Sequence, residues 1–276
     1  MLFRGGIILN LLQGFILGII QGLTEFLPVS SSGHLVLFQR VFGLKEGVLT
    51  FDVAVHLATL IGVAAVLRDD IAAILKKPFG KLPLLIIAGT IPTLIIGAVF
   101  SDFFKKLFES GISLGFEFIL TGLVLLYADR VRGRKKGIDE MKYSDAAIIG
   151  VAQGIAILPA VSRSGFTIAG ALLRGLKKEV ALKFSFLMSI PAILAAAAKD
   201  IYDCFSAGGA FAEGPGIWPL LAGMLAAAVS GYFAVRFMLK VFSKASLKVF
   251  SYYVLALGAL VLIDQFFYGR FFGKLF

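Results

Sequence analysis

Apolar residues run along this chain in long blocks separated by short polar loops. A helix needs about 20 apolar residues to cross the hydrocarbon of a bilayer. Runs near that length fall at about 51–67, 82–100, 112–128, 180–198, 217–235 and 249–268, and predict six transmembrane helices. Two further segments break the pattern. Residues 6–27 are apolar but end in Pro28 and the run Ser30, Ser31, Ser32, and only a short apolar piece, 34–42, follows. Residues 145–158 end likewise in Pro159 and Ser162, Arg163, Ser164, then resume briefly over 166–173. Each predicts a helical hairpin with a polar, proline-marked tip. Interrupted backbone at membrane depth is tolerated only where it is buried in protein or lines a wet cavity, so these tips are where function is expected.

The two hairpins are also copies of one another. An offset of 150 − 18 = 132 residues pairs Gly18 with Gly150, Gln21 with Gln153, Gly22 with Gly154, Val29 with Val161, Ser30 with Ser162, Ser32 with Ser164 and Gly33 with Gly165. The same offset pairs Gly43, Leu44 and Lys45 with Gly175, Leu176 and Lys177. So many identities without a gap indicate an internal duplication. The expected fold is an all-α polytopic membrane protein of two inverted-topology repeats, each a re-entrant helical hairpin plus three transmembrane helices. Residues 1–276 form a single membrane domain, with repeat one at about 6–128, repeat two at about 144–268 and a basic linker at about 129–143. An odd number of crossings per repeat inverts the second half relative to the first.

Composition agrees: 59% of residues are hydrophobic and 16% charged. Lys and Arg number 27 against 17 Asp and Glu, a net charge of 27 − 17 = +10. In so apolar a chain the excess cations belong to loops facing anionic lipid, which excludes nucleic acid as the partner. The basic loops are 68–81, the linker with Arg130, Arg132, Arg134, Lys135, Lys136 and Lys142, the turn 174–179, and 236–248 with Lys244. The loops 101–111 and 199–216, the latter with Asp200, Asp203 and Glu213, balance or reverse that charge. The positive-inside rule then puts both termini outside, in a multi-pass plasma-membrane protein whose site opens to the outer face. The apolar N-terminal run continues to Leu27 without a small-residue cleavage site and is expected to be retained. One cysteine, Cys204, excludes an internal disulfide, and with only two histidines any metal is expected on oxygen ligands.

The first tip reads QGLTEFLPVSSSGH. Gln21 and Glu25 are four apart and share a helix face. A carboxylate deep in the membrane is costly unless it meets a cation, a metal or water. His34, three positions after Ser31, is a candidate proton-transfer group. The second tip, LPAVSRSGFT, adds Arg163, whose planar fork matches phosphate oxygens, with serine hydroxyls and the amides around Gly165 to cradle the rest of an anion. One acid, one guanidinium, one imidazole and many hydroxyls suit an anionic head group on an apolar tail. The plainer alternative is an Arg163–Glu25 ion pair that only holds helices together.

These two motifs resemble the signatures of the undecaprenyl-diphosphate phosphatase (UppP/BacA) family, and FDVAVHLATLIGVAAVLRDDI resembles that family's stretch after the first hairpin. Two departures stand out: Gln21 at a position that is acidic or glutamine, and Ala160 in place of glycine after the proline. The resemblance implies hydrolysis of a polyprenyl (undecaprenyl) diphosphate to the monophosphate, recycling the lipid carrier for cell-envelope polymers with a divalent cation, magnesium or calcium. It implies Glu25 as the essential acid, Ser31 as the nucleophile, His34 as acid or base and Arg163 as phosphate ligand. Ser30, Ser32, Gly33, Ser162, Ser164, Gly165 and Thr167 would line the phosphate site, and Glu25 with Gln21 would hold metal. The residues themselves leave open whether Ser31, His34 or a water attacks.

Two rival readings compete. A type 2 phosphatidic acid phosphatase shares fragments of these motifs but not the histidine expected after Arg163. A lipid flippase or secondary transporter would also use inverted repeats and broken helices. Asp52, His56 and Thr59 lie at near-helical spacing and could line the cavity, but read first as packing or snorkelling groups, while Glu117 and Asp264 read as interfacial. Rows of small residues, Ala222 and Ala226, and Gly223, Ala227 and Gly231, predict close helix contact, within the chain or across a homodimer.

Overall fold

The computed structural model describes residues 9–44, 48–131, 135–206, 216–242 and 246–272. Arg132, Arg134, Glu213, Lys244 and Lys45, all used in the sequence arguments, lie outside the described residues, as does the side chain of Cys204. Apart from one isolated parallel bridge between Lys136 and Leu176, the described regular structure is helical. The first half holds α1 (Leu11–Phe26), α2 (Ser31–Val41), α3 (Val48–Val66), α4 (Arg68–Lys76), α5 (Lys81–Val99), α6 (Ser101–Ser110) and α7 (Leu114–Arg130). The second holds α8 (Tyr143–Ile155), α9 (Arg163–Leu173), α10 (Lys178–Ser206), α11 (Ile217–Val241) and α12 (Lys248–Ile263), which runs on into a π turn, Asp264–Tyr268.

Among the described residues five helices, α3, α5, α10, α11 and α12 with its π turn, are long and apolar enough to cross a membrane. A sixth span is made if α6 and α7, bent by 111° at their junction, count as one. The chain is thus an all-helical multi-pass membrane protein. The four hairpin arms are shorter: α1 has 16 residues, α8 13, and α2 and α9 11 each. At about 1.5 Å per residue even the longest, α1, falls short of the roughly 30 Å hydrocarbon thickness. Two segments expected as plain loops contain helices, α4 and α6. In both, charged and apolar residues alternate at helical spacing, a pattern suited to an interface rather than to a span.

Polar contacts gather the loops into two groups. In the first, Lys81 donates to the Asp139 carbonyl, Lys183 pairs with Asp70 at 3.0 Å, and Asp145 receives both Lys136 at 3.1 Å and Arg174 at 2.7 Å. The three basic loops around 68–81, 135–142 and 174–183 therefore stand side by side. Asp129 accepts from the Leu247 amide at 3.0 Å and so ties 246–248 to the end of α7. In the second group, Arg40 donates to the carbonyls of Ser110 and Phe271, and Gln265 to those of Gly111 and Ile112.

The hairpins are held by helices of the opposite half: α1 packs along α11, and α8 along α5. Both contacts are backbone to backbone. A Cβ on Gly18 would lie 2.2 Å from the Gly223 carbonyl oxygen, and one on Gly150, its partner by the 132-residue offset, 1.9 Å from the Gly89 oxygen. Glycine is required there because no side chain fits. The row Gly223, Ala227 and Gly231 is thus occupied within the chain by Gly18 and Gly22 of α1. We expect Gly18→Ala to lower stability by about 1–3 kcal/mol through overpacking. Gly170→Ala, whose new methyl would meet nothing nearer than 3.5 Å, should be neutral or mildly stabilising. Thermal unfolding in detergent micelles measures both, and equal melting temperatures for the two variants would contradict the backbone contact.

Candidate active site

Each polar tip is a helix start. Ser30 caps α2, its hydroxyl accepting from the Gly33 amide at 3.2 Å, and Ser162 caps α9, accepting from the Gly165 amide at 3.1 Å. The tips then lock onto one another. Ser30 donates to the Pro159 carbonyl at 3.3 Å, and Ser164 donates to the Leu27 carbonyl at 2.8 Å. A Cβ at Gly33 would stand 2.6 Å from the Phe118 ring and 3.0 Å from the Ala160 methyl, which is why the first tip needs glycine to approach the second. Two helix N-termini, with their partial positive charge, therefore face a shared polar centre.

Glu25 occupies that centre. Its side chain is 3% exposed. Oε1 accepts from Arg163 Nη2, while Oε2 accepts from the Ser31 hydroxyl and, at 2.9 Å, from Gln21 Nε2. Nε2 of His56 lies 3.6 Å from the same oxygen. The structure brings together Gln21, Glu25, Ser31 and Arg163 and adds His56, for which the sequence favours packing over a place in the cavity. The one signal for it was the Asp52, His56, Thr59 spacing. His56 is oriented by its own helix: Nδ1 lies 2.7 Å from the Asp52 carbonyl, which can only accept, so Nε2 is the nitrogen presented to Glu25. Asp52 is held in turn by Gln39 at 2.7 Å.

His34 is not in this cluster. Its Nδ1 lies 2.6 Å from the Ser30 carbonyl and its Nε2 2.7 Å from the Tyr253 hydroxyl, so both ring nitrogens are engaged away from Glu25. Thr167 likewise turns aside, bonding the Arg163 carbonyl at 2.8 Å and Ser185 at 2.6 Å. Ser32 follows on α2, half-buried. Glu117, read from sequence as interfacial, is buried at 5% exposure and accepts from the Ala160 amide at 2.6 Å. Thr121, one turn on, accepts from the Ser162 amide at 3.1 Å. The burial follows from the second tip folding back against α7, a contact that no hydropathy pattern encodes.

The duplicated scaffold carries different side chains in its two copies. At the offset of 132, Ser31 corresponds to Arg163, Glu25 to Ile157 and His34 to Phe166. Equivalent first residues of two equivalent helices thus reach one carboxylate, one as a hydroxyl donor and one as a cation. Comparison with known proteins places this centre in a family. The chain matches the family described as bacitracin resistance protein BacA over residues 14–260, which includes both tips and every residue named around Glu25. It is a member of the BacA family. It is 56% identical over 257 residues, 93% of this chain and 98% of the relative, to an undecaprenyl-diphosphatase of Carboxydothermus hydrogenoformans. It is 47% identical over 94% of its length and 98% of the relative to undecaprenyl-diphosphatase 4 of Bacillus cereus. An undecaprenyl-diphosphatase of Halothermothrix orenii is 44% identical over 90% of this chain and 95% of the relative.

In this BacA-family site Glu25 and Arg163 depend on each other. Arg163→Ala would leave a buried carboxylate without its cation, and we expect about 3–5 kcal/mol of destabilisation. Adding Glu25→Gln should recover much of it, since an amide needs no counter-charge. Unfolding of the single and double variants in micelles reads this directly. A double variant no more stable than Arg163→Ala would show that the pair is not what burial of Glu25 relies on.

Proposed function

We propose that this chain is an integral membrane phosphatase that hydrolyses undecaprenyl diphosphate to the monophosphate and inorganic phosphate, recycling the lipid carrier for cell-envelope polymers. One observation carries the reading: a buried Glu25 that holds both a serine hydroxyl and an arginine, between two helix N-termini, in a chain whose relatives are named undecaprenyl-diphosphatase. Phosphoryl transfer asks chiefly for charge stabilisation and alignment. Arg163, paired with Glu25 here, supplies a fork for the terminal phosphate, and the capped starts of α2 and α9 supply amides and dipoles. As Ser31 Oγ bonds to phosphorus, its proton passes to Glu25 and the bridging P–O bond breaks, releasing the monophosphate lipid. A water then attacks the phosphoserine, phosphate leaves, and Ser31 regains its proton. His56, beside the same carboxylate oxygen, is placed to share that proton traffic.

A divalent cation, magnesium or calcium, belongs to this reading. Gln21 Oε1 is buried and has no hydrogen-bond partner among the described residues, and with Glu25 it forms a pair of hard oxygen donors. No group of three or more His, Cys, Asp or Glu side chains stands together among the described residues, so the remaining ligands would be the oxygens of the diphosphate itself. When bound, the cation neutralises diphosphate charge and polarises the phosphorus.

Orientation completes the proposal. The basic loops gathered by Lys81, Asp145 and Lys183 face the cytoplasm, both termini lie outside, and the site opens outward through inverted repeats that span about 6–128 and 144–268. In a Cys204→Ala background, a cysteine replacing exposed Ser110 should react with an impermeant thiol reagent in intact cells, and one replacing exposed Asp139 only after permeabilisation. The opposite pattern would invert the molecule.

Purified chain in lipid nanodiscs should release phosphate from undecaprenyl diphosphate, and translocation of the lipid without hydrolysis would favour a flippase instead. Ser31→Ala should lose turnover by at least about 100-fold, and Arg163→Lys should be nearly as damaging as Arg163→Ala, because a point charge cannot replace a bidentate fork. Full activity in Ser31→Ala would remove serine as the nucleophile, and near-normal activity in Arg163→Lys would show that charge alone suffices.

A further inference from the structure

Ser30 is the one described non-glycine residue in the left-handed region, with φ 70° and ψ 100°. Such a conformation costs on the order of 1–3 kcal/mol and persists only where surrounding contacts enforce it. Its consequence is local: the backbone turn at Ser30 aims the next residue, Ser31, at Glu25. Something must hold the turn. The Ser30 carbonyl accepts from the His34 amide at 3.2 Å and from His34 Nδ1 at 2.6 Å. Because a carbonyl only accepts, Nδ1 carries the hydrogen and Nε2 of the neutral ring is an acceptor. The Tyr253 hydroxyl, 2.7 Å from Nε2, is then the donor. The two rings also stack, 5.7 Å apart and 14° from parallel, while Phe118 meets the imidazole edge-on.

The duplication gives this contact a counterpart. Tyr253 of α12 and Thr121 of α7 are related by 253 − 121 = 132, the offset that superposes the hairpins, and so are Phe250 and Phe118. Thr121 braces the second tip, accepting from the Ser162 amide at 3.1 Å. Tyr253 meets the first tip at the same place in the repeat but spans a longer gap, through an imidazole. Each third span therefore steadies the tip contributed by the other half.

We propose that Tyr253 is a positioning residue of the reaction, and that its hydroxyl, acting through His34, fixes the Ser30 turn and so delivers Ser31 to Glu25. His34 serves here as a brace rather than as the group that exchanges protons with substrate. The inference rests on the phosphatase reading for its kinetic consequence but not for its geometry. Tyr253→Phe removes only the hydroxyl and keeps the stacked ring.

In full-length protein in nanodiscs, Tyr253→Phe should lower kcat for undecaprenyl diphosphate about tenfold with KM within about twofold, the scale of one lost hydrogen bond. In a His34→Ala background the same change should cost nothing further. An unchanged kcat in Tyr253→Phe, or losses that multiply in the double variant, would overturn the proposal. With only two histidines in the chain, imidazole nitrogen NMR reads the contact without turnover. The His34 Nε2 resonance should move in Tyr253→Phe while that of His56 stays, and an unmoved His34 signal would refute the brace even in an active enzyme. A His34 shift on this substitution, together with a wild-type protein that releases no phosphate, would instead refute the phosphatase reading alone.

Discussion

A carboxylate buried inside an apolar protein loses its hydration, and the loss is bearable only where charge and hydrogen bonds replace water. Glu25 meets that condition with donors from three elements: Gln21 from its own helix, Ser31 from the next, and Arg163 from a helix 138 residues away. The last of these matters most for architecture, because the counter-charge resides on the other hairpin. Neither tip can be satisfied alone. Much of the rest of the fold can be understood as what allows two polar tips to meet among apolar helices: glycines that let α1 and α8 sink onto α11 and α5, serine caps that each satisfy an amide at the start of α2 or α9, and hydroxyls that cross from one tip to the backbone of the other.

Under the proposed function, an ion pair at this centre would also suit exchange. Arg163 rests on Glu25, so the guanidinium is held in place and neither charge is stranded. An incoming diphosphate would offer the same fork a second anion. Were the guanidinium to engage phosphate, Glu25 would retain Gln21, Ser31 and the nearby His56, a set in which a hydroxyl proton already points at a carboxylate oxygen.

The sequence repeated at an offset of 132 residues carries an asymmetric site. Equivalent capping serines, glycines and packing contacts persist in both hairpins because the same backbone must be built twice. The chemical positions differ: Ser31 against Arg163, Glu25 against Ile157, His34 against Phe166. The two helix starts meet at Glu25, one bringing a hydroxyl and the other a guanidinium, which under the proposed function would be the nucleophile-bearing and the anion-binding half. The same logic extends to the third spans, where Thr121 and Tyr253 occupy equivalent positions and hold opposite tips.

Hydropathy blocks, proline-broken hairpins and the repeated motif were enough to read a helical membrane protein and to single out Gln21, Glu25, His34 and Arg163, while Ser31 stood out among its neighbouring serines only through the family resemblance. These are properties of short segments, and a charged residue inside an apolar run announces itself because the medium makes it costly. What sequence could not supply was which groups face which. His34 and His56 are both imidazoles near a polar tip, yet one turns to Tyr253 and the other to Glu25, and that choice depends on how α2 and α3 are rotated against α12 and α1. Glu117 looked interfacial because it sits near the end of an apolar run, and its burial arises from a tip that folds onto it from 43 residues away. Composition and periodicity determine which segments leave water. Only packing between distant helices decides which polar side chains share the cavity they leave behind.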